Sequence, residues 1–138
     1  RYLADQTGST DGTTFFKLVN STTHGIANVT AVFGANFTTY VRDWSVSNAV
    51  DDVATSEVAL QQPSWDWHDI YGAIYVNAPF PLQSQGMANT TPYTGTVRAG
   101  GATYFTVGVP TNGKATLTLA GKSSTTGSHL QLVVVRTR

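Results

Sequence analysis

Ala102-Thr103-Tyr104-Phe105-Thr106-Val107-Gly108-Val109-Pro110-Thr111-Asn112-Gly113-Lys114 decides how the second half of this chain is read. Thr103, Phe105, Val107 and Val109 alternate with Tyr104, Thr106 and Gly108, the period of two that marks a half-buried strand. Pro110 ends the run, and Asn112-Gly113 supplies the pair that best tolerates the positive φ angles of a tight hairpin turn. Lys114 to Ala120 then reads as the returning strand, with Ala115, Leu117 and Leu119 on its inner face. Beyond a polar loop from Gly121 to Ser128, Leu130-Gln131-Leu132-Val133-Val134-Val135 is apolar on both faces, as a covered strand would be. Tyr93 to Arg98 completes the set, with Gly100-Gly101 as its turn. The expectation is an antiparallel sheet, packed as a β-sandwich.

Working outward toward the N-terminus, the spacing changes. Ile26, Val29 and Phe33 share one helical face, and Gly34 stands where a helix would stop. Phe37, Tyr40, Val41, Trp44 and Asn48 share another, predicting helix over 38–50. Phe15 to Val19 is a short apolar run of open type that Thr13 or Thr14 can cap, and Gln6 to Thr14 reads as loop. Arg1 to Asp5 reads as a helix end, from which an upstream segment removed by processing is inferred. The fold class expected is therefore α+β: a mostly helical segment over 1–55 followed by a β-rich segment over 56–138.

Composition narrows the function classes. Charged residues make up 12% of the 138 residues and the net charge is zero, against about 25% charged in ordinary soluble proteins. Thr, Ser and Gly take their place, which suits an extracellular or cell-surface protein. Recognition of a polyanion needs a basic face, and the Arg and Lys residues do not cluster, so nucleic acid is not an expected partner. There is no cysteine and so no disulfide frame. No apolar run reaches the length of a membrane helix. Zero net charge removes long-range repulsion between copies.

Catalytic constellations are hard to assemble. His24, His68 and His129 lie far apart, with no His-Glu-x-x-His among them. Asp66 and His68 share a face if extended, but a surface turn is the plainer reading than a metal site. Gly121-Lys122-Ser123 resembles the end of a phosphate-binding loop, yet Thr116 stands where that loop needs glycine. No catalytic residue, metal set or cofactor is expected, and the chain reads as a non-enzyme. Asn20, Asn28 and Asn36 open sequons eight residues apart, and Asn89 opens a fourth. They are candidate glycan acceptors in a secreted protein, although a Thr-rich chain produces such triplets by chance.

Aromatic density marks Trp65-Asp66-Trp67-His68-Asp69-Ile70-Tyr71. If extended, Trp65 and Trp67 project from one face and, with Tyr71, form a candidate platform for sugar rings. The plainer reading has Trp44 and Trp65 buried, tying the helical part to the sheet.

Several stretches resemble the C-terminal part of secreted bacterial zinc metallopeptidases of the hyicolysin-like type. They are Arg1-Tyr2-Leu3-Ala4-Asp5-Gln6, Phe15-Phe16-Lys17-Leu18-Val19-Asn20, Arg42-Asp43-Trp44-Ser45-Val46-Ser47 with Asp51-Asp52, and Gln62-Pro63-Ser64-Trp65. The tail, Gly100 to Ala120 with Val133 to Arg138, is similar to the bacterial pre-peptidase C-terminal β-domain. The resemblance implies secretion and an accessory role. In that family the zinc-binding helix lies upstream of the matched stretches, so no catalytic residue carries over.

Taken together, the sequence favours a non-catalytic extracellular structural module that self-associates as a surface or fibre subunit. Leu130, Leu132, Val133, Val134 and Val135 are its candidate assembly residues, since an uncharged β-forming run recruits other chains when its edge is open. The competing reading covers that run within one molecule by a further strand over 70–76. A polysaccharide-binding module and a non-catalytic fragment of a metallopeptidase are the alternatives.

Overall fold

The computed structural model describes residues 1–51, 57–74, 80–88, 91–98, 100–121 and 130–136. The chain divides into two units, Arg1–Phe80 with Val135–Arg138, and Pro81–Val134.

The first unit is helical. Helix α1 spans Tyr2–Gln6, α2 Asp11–Val19, α3 Gly25–Phe33 and α4 Phe37–Val50. The apolar spacing that predicted α3 and α4 is realised, and α3 ends on Gly34, whose φ of 88° lies where only glycine is unstrained. Helix α2 starts earlier than the apolar run Phe15–Val19 indicates. Thr10, rather than Thr13 or Thr14, is its cap: Thr10 Oγ1 accepts from the Thr13 backbone N–H at 3.3 Å, and Asp11 follows in the positive first turn. Asn28 Nδ2 donates to Leu18 O at 2.8 Å and so ties α3 to the end of α2.

A 3₁₀ turn, Val58–Leu60, and helix α5, Trp67–Ile74, follow among the described residues of this unit. Helix α5 excludes the competing reading's strand over residues 70–74, while residues 75 and 76 lie outside the described residues, and because α5 begins at Trp67 the Trp65–Trp67 stretch is not one extended run. Its cause is Asp66. The Asp66 Oδ1 accepts from the backbone N–H groups of His68 and Asp69 at 2.7 and 3.1 Å, and Ile70 N closes the first turn on Asp66 O. Removing this cap by Asp66→Ala should cost about 1 kcal/mol of stability, read from urea denaturation of the variant beside the parent.

In the second unit the expected antiparallel sheet and sandwich are absent among the described residues. Strand β1 (Gln85–Met87) pairs with β2 (Phe105–Val107) in parallel, with Gln85 opposite Phe105, Gly86 opposite Thr106 and Met87 opposite Val107. Ser84 Oγ and Thr106 Oγ1 meet at 2.7 Å, Gln85 N donates to Tyr104 O, and the Tyr93 ring stands edge-on to Phe105 at 4.6 Å. A parallel pair needs a crossover of about a dozen residues or more, which residues 88–104 supply.

The turns explain why the hairpins fail. Gly113 N donates to Pro110 O at 2.8 Å, so Asn112-Gly113 occupies the last two positions of the turn rather than its centre. Gly113 is not among the glycines with positive φ, which a type I′ turn requires of both central residues. At the other candidate, Gly101 N donates to Arg98 O, with Gly100 at φ 75° but Gly101 not among the glycines of positive φ. Neither candidate is therefore the type I′ turn whose twist matches that of two paired strands. Tyr93–Arg98, Lys114–Ala120 and Leu130–Arg136 accordingly carry no ladder among the described residues.

Candidate functional site

Two sets of polar contacts position the most structured surface of the first unit. Helix α1 is fastened to the segment around the 3₁₀ turn. Tyr2 Oη donates to Ala59 O at 2.6 Å, and Gln6 Nε2 donates to Val58 O and Gln61 O, each at 3.2 Å. Arg1 donates to Ser64 Oγ at 2.6 Å, and Ser64 Oγ donates to Asp5 Oδ1 at 2.8 Å. Helix α4 is fastened to the same segment through Gln62. Its backbone N–H donates to Asp51 Oδ1 at 2.9 Å, and its Nε2 donates to Ser47 Oγ and Asn48 Oδ1 at 2.9 and 2.8 Å. Ser47, Asp51 and Gln62 are all buried. Ser47 Oγ donates in turn to Trp44 O at 2.9 Å.

These contacts bring α1, α4 and residues 62–67 around one open cleft of about 290 Å³, lined by Arg1, Tyr2, Trp44, Gln62, Trp65 and Trp67. Trp65 and Trp67 meet edge to face, centroids 5.8 Å apart and planes at 66°. The three indoles remain 42%, 46% and 40% exposed for Trp44, Trp65 and Trp67 respectively. This corrects the expectation that Trp44 and Trp65 are buried at a helix–sheet junction: the polar staples hold the backbone, and the rings are left facing outward.

Tyr71 does not join them. It lies one turn along α5, its ring edge-on to Phe80 at 6.0 Å, while His68 stacks on the same Phe80 at 3.9 Å. Tyr2, Gln62 and Arg1 are the cleft residues that the sequence did not single out. Gln62 stands in the sequence only as part of the Gln62-Pro63-Ser64-Trp65 resemblance, and its buried partners show its role.

Electrostatics at the cleft are largely neutralised. Arg1 forms ion pairs with Asp5 (3.2 Å) and with Asp11. Arg42 Nε pairs with Asp43 Oδ1 at 2.6 Å, and that bond holds its guanidinium above the ordinary range. Burial, with the nearby Asp43 carboxylate second, pushes the Tyr2 hydroxyl well above the usual tyrosine range, so it stays a donor to Ala59 O.

Elsewhere, Leu130, Leu132, Val133 and Val134 are exposed and Val135 is half-buried. Asn20 and Asn36 are exposed, flanking α2 and α4, whereas Asn28 Nδ2 is the group bonded to Leu18 O. Asn89 lies outside the described residues. Among the described residues no group of three or more His, Cys, Asp or Glu side chains could hold a metal ion, and no helix is long and apolar enough to cross a membrane. No protein-family model, curated protein or solved structure matches this chain.

Proposed function

We propose that this chain is a non-catalytic extracellular structural module that works by assembling with copies of itself. The observation that carries the reading is the apolar surface it leaves uncovered. Among the described residues the buried hydrophobic side chains are Tyr2, Ala4 and Leu60. Phe15, Phe16 and Val19 on α2 and Ile26 on α3 stand between 56% and 73% exposed. In the second unit Leu117, Leu119, Leu130, Leu132, Val133 and Val134 are exposed as well. Fully burying one such side chain contributes roughly 1.5–3 kcal/mol, and clustered apolar exposure marks contact surfaces. A second copy suits them because the net charge is zero and repulsion between copies is small. The run Leu130–Val134 lies outside any ladder among the described residues, and a β-forming run with an open edge takes on further strands. The low charge content supports an extracellular setting.

Sedimentation velocity over a range of concentrations tests this. The parent chain should shift to larger species as concentration rises, and Val134→Lys or Phe16→Lys should return it to monomer with its helical circular dichroism intact. A parent chain that stays monomeric throughout would overturn self-assembly. The same surfaces would then be assigned to a partner chain, as in the accessory role that the metallopeptidase resemblance implies. Pure chain is also expected to show no zinc-dependent cleavage of casein. Cleavage lost on His68→Ala would refute the non-catalytic reading.

A further inference from the structure

We infer that the cleft between α1, α4 and residues 62–67 is a binding site for one ring of a neutral polysaccharide. A pyranose presents apolar C–H faces and a rim of hydroxyls, and the cleft offers the complement of each. Its walls are the Trp44, Trp65 and Trp67 rings, amphipathic surfaces with an apolar face and one donor at the edge. Each indole also carries one N–H donor at its edge, a group that pairs with a hydroxyl. Gln62 contributes the opposite polarity. Both hydrogens of its amide are taken, by Ser47 Oγ and Asn48 Oδ1, which fixes the amide and leaves Oε1 as an oriented acceptor on a cleft residue.

Size and charge narrow the ligand. About 290 Å³ is near the lower limit of small-molecule sites, roughly 300–1,000 Å³, which fits a single sugar ring of a longer chain lying across an open groove. The one cation at the cleft, Arg1, is already paired with Asp5 and Asp11. It is not available to clamp a carboxylate or sulfate, so an uncharged glycan is favoured over an acidic one. The site is independent of the assembly surfaces, because none of its lining residues is among those assigned to self-association.

Trp44, Trp65 and Trp67 are the only three tryptophans of the chain, so intrinsic fluorescence reports on this cleft alone. The experiment titrates the parent chain with cellohexaose, xylohexaose, mannohexaose and the N-acetylglucosamine hexamer, with polygalacturonate as the acidic control. The expected result is saturable quenching and a blue shift with at least one neutral hexasaccharide, and affinity at least tenfold weaker in Trp65→Ala. If Trp65→Ala does not fold, Trp65→Phe, which keeps a smaller ring, should weaken binding at least threefold. No response to any neutral hexasaccharide, a response to polygalacturonate alone, or binding unchanged in the Trp65 variants would overturn the inference. Sedimentation of the same samples reads assembly separately, so failure of either reading is told apart from failure of the other.

Discussion

Tyr2→Ala is expected to be the most damaging single substitution in the helical unit, with a loss of about 3–5 kcal/mol. Tyr2 is one of three buried hydrophobic residues among those described, so its ring is a large share of the core. Its hydroxyl also fastens α1 to Ala59 O at 2.6 Å. Whole-domain stability is typically about 5–15 kcal/mol, so the variant should be substantially unfolded at modest denaturant. Tyr2→Phe separates the two contributions: it keeps the ring, deletes the hydrogen bond, and should cost only about 1 kcal/mol. The pair also carries a pH signature. The folded-state pKa of Tyr2 is raised, by burial first. The stability linked to it is therefore fully present below the unfolded tyrosine value of about 10 and is lost as pH rises above it. Tyr2→Phe should lose less stability than the parent in that alkaline range. Urea denaturation followed by tryptophan fluorescence measures all three. A Tyr2→Ala midpoint close to the parent's would show that α1 is not integral to the unit.

Gln62→Ala is the second large effect, expected at about 2–4 kcal/mol. The side chain is buried and satisfies two acceptors at once, Ser47 Oγ and Asn48 Oδ1. Stranding a buried polar partner costs roughly 1–3 kcal/mol each, and Ser47 is wholly inaccessible to water. The backbone bond from Gln62 to Asp51 survives the substitution, so loosening rather than collapse is expected, visible as a red shift of fluorescence from Trp44 and Trp65. A double-mutant cycle with Ser47→Ala should give a coupling of about 0.5–3 kcal/mol. A cycle that is additive would mean the Gln62–Ser47 bond contributes nothing of its own.

The helices were legible where sequence alone determines the outcome. Ile26, Val29 and Phe33 define a stripe, Gly34 has the conformational freedom to end it, and α3 follows. Helix α5 has the ordinary start signal, Asp66 as cap with Asp69 in the first turn, but the two-residue spacing of Trp65 and Trp67 equally fits an extended run. The sheet was misread for a different reason. Alternation in Thr103–Val109 indicates an extended run, and Phe105–Val107 is indeed strand. It does not identify the neighbour, which is Gln85–Met87, a segment with no alternation of its own. Turn chemistry was to choose the partner, and a one-position shift of Asn112-Gly113 within its turn removed that choice. For the cleft, Trp65 and Trp67 were legible as aromatics. Trp44 was assigned to the core because its helical face is apolar, and Gln62 carries no signal at all until its buried partners are known.

The bonds from α1 to residues 58–64 close the first unit into a ring. Gln6 reaches Val58 and Gln61, Tyr2 reaches Ala59, and Arg1 reaches Ser64, each across more than fifty residues of sequence. A ring tolerates one cut. If a protease nicked the exposed stretch Thr22–His24, the two pieces would still be held by those four bonds and by the buried Tyr2 ring. The nicked protein should therefore migrate as a single species under native conditions and part into two fragments only in denaturant. The same topology lends itself to splitting: two separately produced pieces, divided at Thr22–His24, should find each other and rebuild the tryptophan cleft.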